Sequence, residues 1–546
     1  MNDTLPLAAF LERVGEHPDR AYLHQPVDRH WTTLTWDETN QQARKIASGL
    51  LAQGFNTGDR IGILAKNSVE WFIADIAIMM AGMISVPIYA TANRDTIEYI
   101  VEHSQMSAIF IGKLDNNSAT LDAIPASLLS VAFPYEGTPG QQHWLDWLGR
   151  YSPLQEVHQA DSNDTYSIIY TSGSTGVPKG VVTQYSHVAA ASSAATRVNA
   201  GTPKPRYLSY LPLAHITERC VIETMSWYSP MEIFFCESLE TFILDVQHAR
   251  PTLFISVPRL WVKFQHQILA KVSQNKLSIL LALPIISDRI RKKIQRQLGL
   301  DQVVTFASGS APISTATLNW FQTIGIDICE GWGMTETTGV SCINFPFDAD
   351  NIGTIGMPQS CVEMTLSEDG EILIRGDAVF DHYYCNPEAT QEAFSDDWFH
   401  TGDLGSLTAT GAFKIIGRVK EQFKTSKGKY VSPVPIENRL ARNPLIEQVC
   451  VLGSGRKQPL ALVVLTENTD ATDPTQLQSL QATIKEVNRE LESHQQIDHL
   501  VIVNESWTPE NDLLTPTLKL RRVQIETFYQ YLADKQFETR VVIDQK

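Results

Sequence analysis

Tyr170-Thr171-Ser172-Gly173-Ser174-Thr175-Gly176-Val177-Pro178-Lys179-Gly180 follows a short apolar run, residues 166–170, and leads into the apolar pair Val181-Val182. An apolar run of that length, bounded by turn residues, reads as a buried strand. The segment between offers backbone N–H groups, hydroxyls and one ammonium with few bulky side chains in the way. Those are the parts needed to hold a polyphosphate. It is not a Walker A loop, because Lys179 lies between Pro178 and Gly180, where Gly before and Ser or Thr after are required. A plain Gly/Ser turn explains the small residues but not the Pro-Lys-Gly ending.

The whole chain is long enough to surround such a site with large cores. Its 546 residues correspond to about three to four domain-sized units. Hydrophobic residues at 43% and charged residues at 19% place it among globular proteins. A formal net charge of -17 argues against nucleic acid as the main partner, since phosphate backbones demand clustered Lys and Arg. An anionic nucleotide needs only a local positive site. The seven Cys are dispersed without CxxC or Cys/His spacing, which predicts reduced thiols and no zinc centre. Residues 1–10 lack a signal-peptide pattern. The longest apolar run, 76–88, contains Gly82 and Pro87 and falls short of the ~18–20 residues of a membrane span. The expectation is a soluble, cytoplasmic protein.

Working outward from the loop, residues 1–60 read as loops plus an amphipathic helix near 43–51. Strand, helix, strand, helix, strand follow at 61–64, 69–80, 84–89, 95–103 and 108–111. That alternation predicts a parallel sheet covered by helices. It resumes with strands at 207–211, 232–235, 253–257 and 303–307, giving an α/β fold of two packed halves. From Thr354 the texture changes. Residues 362–366 and 371–375 form a hairpin around Asp369-Gly370, and another strand follows at 413–416, predicting a small antiparallel barrel or sheet. The domain boundary is placed after Gly417: residues 1–417 form a large N-terminal unit, and 418–546 a smaller, mobile α+β unit with helices near 436–442 and 477–491. The run 278–286 is strongly apolar and precedes Arg289, Arg291, Lys292, Lys293 and Arg296. It could meet an anionic membrane peripherally or guide a fatty acid; a core helix followed by a solvated one is the preferred expectation.

The 170–180 loop resembles the phosphate-binding signature of the adenylate-forming superfamily, which includes acyl-CoA synthetases, nonribosomal peptide adenylation domains and luciferases. Ser174 stands where that family often has Thr. Further stretches carry the resemblance almost to the C-terminus, with long-chain fatty acyl-CoA synthetases the most similar branch. Residues 210–219, Tyr-Leu-Pro-Leu-Ala-His-Ile-Thr-Glu-Arg, resemble the segment that begins the acyl-pocket helix, with His215 positioned to orient a carboxylate or close the wall. Ser308-Gly309-Ser310-Ala311-Pro312 is similar to the loop along the adenine. In Glu330-Gly331-Trp332-Gly333-Met334-Thr335-Glu336-Thr337 the family implies a Gly-aromatic-Gly floor beneath adenine, with Trp332 where Tyr is common. It also implies a Thr335 hydroxyl for phosphate and a Glu336 carboxylate for Mg²⁺. Asp403 matches the Asp that accepts both ribose hydroxyls, and Arg418 the Arg at the domain junction. Lys420 occupies the hinge position. Lys424 to Pro433 resembles the loop that swings toward the thiol site, with Lys424 and Gly428 as CoA contacts; Lys427, Lys429 and Ser432 depart from the long-chain pattern. Leu514-Thr515-Pro516-Thr517-Leu518-Lys519 matches the C-terminal lysine motif.

The resemblance implies ATP-dependent activation of a fatty acid to acyl-AMP, then transfer to CoA. ATP and CoA are the implied co-substrates and Mg²⁺ the metal. The nucleotide contacts would be Thr171, Ser172, Gly173, Ser174, Thr175, Gly176 and Lys179 of the loop, Gly309, Ser310 and Ala311, and Gly331 to Met334, with Asp403 and Arg418. Lys519, Thr335, Glu336 and His215 would carry the chemistry. Two rivals remain open at this point: a fatty acyl-AMP ligase serving a carrier protein, and a catalytically silent nucleotide-binding protein. Residues 353–418 show no insertion of the kind the ligase group carries. Chain-length preference and oligomeric state are not legible.

Overall fold

The computed structural model describes residues 4–115, 122–172, 177–466, 469–509, 511–515, 519–532, 535, 537 and 539–544. Gly173, Ser174, Thr175 and Gly176, the side chain of Ser172, and residues 516–518 lie outside the described residues.

A seven-stranded sheet forms the first α/β half, in the order Gln142–His143, Leu129–Ala132, Ala108–Gly112, Arg60–Ala65, Ile84–Ile88, Thr165–Ser172, Pro178–Gln184. All neighbours are parallel except the last pair, a hairpin in register Thr171↔Lys179 and Ser172↔Pro178. The helix Val69–Met80 starts on Ser68, whose hydroxyl accepts from the Trp71 N–H, and eleven of its twelve residues are buried. An apolar all-round helix has to be enclosed on every side. Burying each large aliphatic or aromatic side chain there contributes about 1.5–3 kcal/mol.

The second half is built from two sheets. One has the order Arg206–Ser209, Glu232–Phe235, Ala21–Val27, His30–Thr35; the other runs Leu253–Ser256, Thr305–Ser308, Ile328–Trp332, Cys342–Ile343, Met357–Pro358. The N-terminal segment therefore holds more than the single helix expected. It contains a helix, Pro6–Glu16, and a hairpin that pairs in parallel with Glu232–Phe235 through Leu23↔Ile233. Its turn is Asp28-Arg29, both at positive φ (48° and 64°). Those values demand a primed turn, and the usual Asn-Gly or Asp-Gly signal is missing.

The predicted antiparallel unit is a five-stranded sheet of Glu363–Leu366, Glu371–Arg375, Trp398–Leu407, Phe394–Ser395 and Phe413–Arg418. Beyond it, Ile446–Leu452, Leu460–Leu465, His499–Ile502 and Val541–Ile543 form a separate four-stranded sheet. The helices Pro433–Leu440 and Pro474–Arg489 cover one core of this sheet, and Arg522–Phe528 lies against the other.

One expectation is overturned. The apolar run 278–286 is not a core helix: Pro284 splits it between the helices Gln274–Leu281 and Pro284–Leu298, and Ile279, Leu283 and Ile286 are 65%, 44% and 39% exposed. Proline cannot continue a helix but is well placed in the first turn of the next. Among the described residues no helix is long and apolar enough to cross a membrane.

Candidate active site

The parallel strands Leu253–Ser256, Thr305–Ser308 and Ile328–Trp332 all end on one cavity of about 2100 Å³, which reaches from the first α/β half to the C-terminal sheet's unit. The carboxyl ends of parallel strands are where α/β folds place ligands. Thr171, Lys179, His215, Gly309, Ser310, Ala311, Gly331 to Glu336, Asp403, Arg418, Lys424 and Lys519 all line it. Part of its lining is apolar: Val198, Val221, Leu253, Ile255, Val340 and Ile343, which belong to one hydrophobic cluster.

At the base of the 171–179 hairpin the Lys179 ammonium sits 4.7 Å from the centre of the Tyr383 ring. The Tyr383 hydroxyl donates to Glu336 Oε1 at 3.0 Å. Cation, phenol and carboxylate thus form a row along the wall. Burial, together with the adjacent Glu336 carboxylate, holds the Tyr383 phenol well above its ordinary pKa, so it stays a donor.

Opposite this row the chain makes two close turns. Ser310 adopts φ +67°, and a Cβ at Gly333 would lie 1.5 Å from the Gly339 carbonyl oxygen. No side chain fits there, so Gly333 is fixed by the approach of two backbones. Trp332 is buried, and its indole N–H donates to Asp403 Oδ2 at 2.9 Å. Arg418 Nε donates to Asp403 Oδ1 at 2.7 Å. Each carboxylate oxygen holds one protein donor and has capacity to accept another.

Lys519 is tied to Thr515: its N–H donates to Thr515 Oγ1 at 3.0 Å, and the Thr515 N–H donates to the Lys519 carbonyl at 2.8 Å. Lys519 is an exposed residue that lines the cavity, with the cavity's protein walls around it. That enclosure lowers its pKa, and the Arg418 guanidinium lowers it further; Asp403, Glu336 and Glu421 pull the other way. His215 caps a short helix, with Nδ1 accepting from the Thr217 N–H at 3.2 Å, which leaves its proton on Nε2. Desolvation, with a lesser push from Lys519, takes His215 down to about 3, so its ring is neutral near neutrality.

Lys424 reaches the cavity from a short hairpin whose ammonium lies 5.5 Å from the Tyr430 ring centre. Gly428 sits in that hairpin's turn at φ +75° and does not line the cavity. An ion pair between Arg259 and Glu447 bridges the helix Pro258–Lys271 to the C-terminal sheet.

Several wall residues have properties that the sequence motifs do not assign. Ser308 is buried, and its hydroxyl has no hydrogen-bond partner among the described residues. Gln359 Oε1 is in the same position. Glu330 accepts from the Gly353 N–H at 2.7 Å, and burial pushes its carboxyl up to about 8. Tyr383 lies 204 positions from Lys179 along the chain, and no local pattern marks it. No cluster of three or more His, Cys, Asp or Glu able to hold a metal exists among the described residues. Glu336 with the neighbouring Thr335 hydroxyl is a sparse oxygen donor set. That suits Mg²⁺, which keeps water and phosphate ligands and takes only one or two from protein.

A family model described as "AMP-binding enzyme" matches residues 10–384, well over half the chain. The chain belongs to the AMP-binding enzyme family. A second model, "AMP-binding enzyme C-terminal domain", matches residues 420–539. Fatty acyl-CoA synthetase A of Dictyostelium discoideum is 30% identical over 93% of this AMP-binding enzyme and 86% of its own length. The long-chain-fatty-acid–CoA ligase FadD15 of Mycobacterium bovis is 28% identical over 94% of both chains. Among solved structures, the anthranilate CoA ligase AuaEII in complex with anthranoyl-AMP superposes with a TM-score of 0.81 at 20% identity, covering 97% of this chain and 98% of that one. That likeness shows a shared fold over nearly the whole of both chains.

Proposed function

We propose that this AMP-binding enzyme is an ATP-dependent fatty acid–CoA ligase, with long-chain acids as the favoured substrates. The observation that carries the reading is the convergence of Lys179, Glu336, Asp403, Arg418, His215 and Lys519 on one cavity whose lining is partly apolar. Similarity to long-chain ligases over nearly the whole chain supports the substrate class.

In the proposed first step a fatty acid carboxylate attacks the α-phosphorus of ATP, forming acyl-AMP and releasing pyrophosphate. The 171–179 hairpin holds the phosphates, Asp403 accepts from the ribose hydroxyls, and the Gly331–Gly333 segment lies along the base. Lys519 meets the negative charge that builds between attacking and leaving oxygens. Neutral His215, protonated on Nε2, donates to the carboxylate or the acyl carbonyl without adding charge. Glu336 and Thr335 would hold Mg²⁺, which would neutralise charge on the phosphates. No protein nucleophile is required, because positioning and electrostatics suffice.

The second step brings the CoA thiol to the acyl carbonyl, expelling AMP. Lys519 occupies the approach, so the unit beyond about residue 418 turns about Lys420 and presents the Lys424 hairpin, with Gly428 in its turn, to CoA. The test is pyrophosphate release across fatty acids of graded length, with and without CoA. A CoA-dependent thioester with a long-chain optimum supports the reading. Acyl-AMP accumulating without thioester at any length overturns it.

A further inference from the structure

Residues 271–296 carry seven basic residues, Lys271, Lys276, Arg289, Arg291, Lys292, Lys293 and Arg296, against one acidic residue, Asp288. The chain as a whole has a net charge of -17, so this is a local reversal of sign. Arg291 pairs with Asp288, whereas Lys276, Arg289, Lys292 and Lys293 make no ion pair among the described residues and are exposed. The same two helices and the junction between them expose Ile279, Leu283 and Ile286.

The arrangement is amphipathic. Leu277, Ile290, Ile294 and Leu298 pack on the core formed with Trp261, Phe264 and Phe321. Ile286, Arg289, Lys293 and Arg296 fall at i, i+3, i+7 and i+10, along the stripe of Pro284–Leu298 turned away from that core. Solvated surface helices seldom present three large aliphatic side chains beside a ring of unpaired cations. That combination matches an interface between acyl chains and anionic headgroups, where Leu and Ile enter the apolar boundary and Lys and Arg reach phosphate. Along the chain the pair follows, through the helix Pro258–Lys271, the strand Leu253–Ser256 whose Leu253 and Ile255 line the cavity.

We infer that the helices Gln274–Leu281 and Pro284–Leu298 form a docking surface for an anionic lipid bilayer. The basic and aliphatic side chains together match anionic headgroups over acyl chains, whereas two copies meeting symmetrically at this patch would set like charges against each other. The surface would hold the protein where its water-insoluble substrate is concentrated.

Co-sedimentation of the full-length protein with vesicles tests this independently of any ligase activity. Phosphatidylglycerol vesicles should capture it at low salt, phosphatidylcholine vesicles should not, and added salt should release it. The substitution set Lys276→Gln, Arg289→Gln, Lys292→Gln and Lys293→Gln should weaken capture by about six-hundredfold, at about fivefold per cation. Ile279→Ser with Leu283→Ser and Ile286→Ser should weaken it by at least about tenfold. Cooperative melting of both variants establishes that they are folded. No capture by anionic vesicles, or equal capture of folded variants, overturns the proposal. So does a concentration-dependent rise in mass that the serine variant abolishes while vesicle binding is unchanged, since a second copy would then be the occupant.

Discussion

The Trp332 indole N–H donates to Asp403 Oδ2 at 2.9 Å, joining the floor of the cavity to the carboxylate proposed to read the ribose. With Arg418 on the other oxygen, the carboxylate plane is fixed before any nucleotide arrives. A Trp at this place supplies a donor as well as an aromatic face. Trp332→Phe keeps the face and removes the donor. A hydrogen bond to a charged group is worth about 1.5–3 kcal/mol, and part of that loss is recovered by water. The expected result is a KM for ATP raised roughly tenfold with kcat within about threefold. An unchanged KM would show that Arg418 alone orients Asp403.

Lys519 divides the two half-reactions. Lys519→Ala should lower acyl-AMP formation by at least about a hundredfold, while thioester formation from supplied acyl-AMP stays within a few-fold. The pH dependence has a definite sign. The ammonium is the useful form, and enclosure plus Arg418 lower its pKa from the ordinary lysine value. Adenylation should therefore fall as pH rises through that lowered value, earlier than an unperturbed lysine would give. Arg418→Gln, by removing the neighbouring cation, should shift the alkaline limb upward. Initial rates of pyrophosphate release across pH read both effects.

Much of this was legible in the residues. The alternation at 61–111 and the Asp-Gly hairpin at 369–370 have local causes, so local pattern suffices for them. The motif residues converge from several sheets: Ser308 and Trp332 end parallel strands, Lys179 lies in the antiparallel partner of Thr165–Ser172, and Asp403 pairs with Arg418 in the antiparallel sheet. What escaped depends on partners distant in sequence. The Asp28-Arg29 hairpin is held by pairing with residues 232–235, and no turn signal announces it. Tyr383 matters only through Lys179 and Glu336. The 278–286 run misled because hydrophobicity alone does not say which face is covered. Gly173 to Gly176, the most telling part of the sequence, lie outside the described residues.

Tyr383 offers a separable test of the wall between the phosphate loop and the proposed metal carboxylate. Tyr383→Phe retains the ring under Lys179 and deletes only the hydroxyl that donates to Glu336 Oε1. Losing one such bond costs about 1.5–3 kcal/mol at most. The half-saturating Mg²⁺ concentration should rise several-fold with maximal rate little changed. Glu336→Gln removes the charge itself and should lower the maximal rate by at least about tenfold at any Mg²⁺ level. Titrating Mg²⁺ against pyrophosphate release in the two variants distinguishes orientation of the carboxylate from its charge.

Glu218 gives a stability prediction with its own sign. It is buried beneath the segment that carries His215, accepting from Tyr207 Oη, Ser209 Oγ and the Tyr210 N–H at 3.0, 2.8 and 3.2 Å. Burial outweighs those three donors and pushes its carboxyl up to about 8. In the unfolded chain it titrates near the usual ~4.3. Between those values the folded state holds a proton that the unfolded state has released, so this residue's contribution falls as pH rises from about 4.3 to 8. Glu218→Gln keeps an acceptor oxygen for the Tyr210 N–H and cannot ionise. Its melting temperature should therefore decline less than the parent's between pH 6 and pH 9, a comparison that differential scanning calorimetry reads directly. Parallel declines would place the pH sensitivity in another buried acid, with Glu330, also held near 8, as the next to replace.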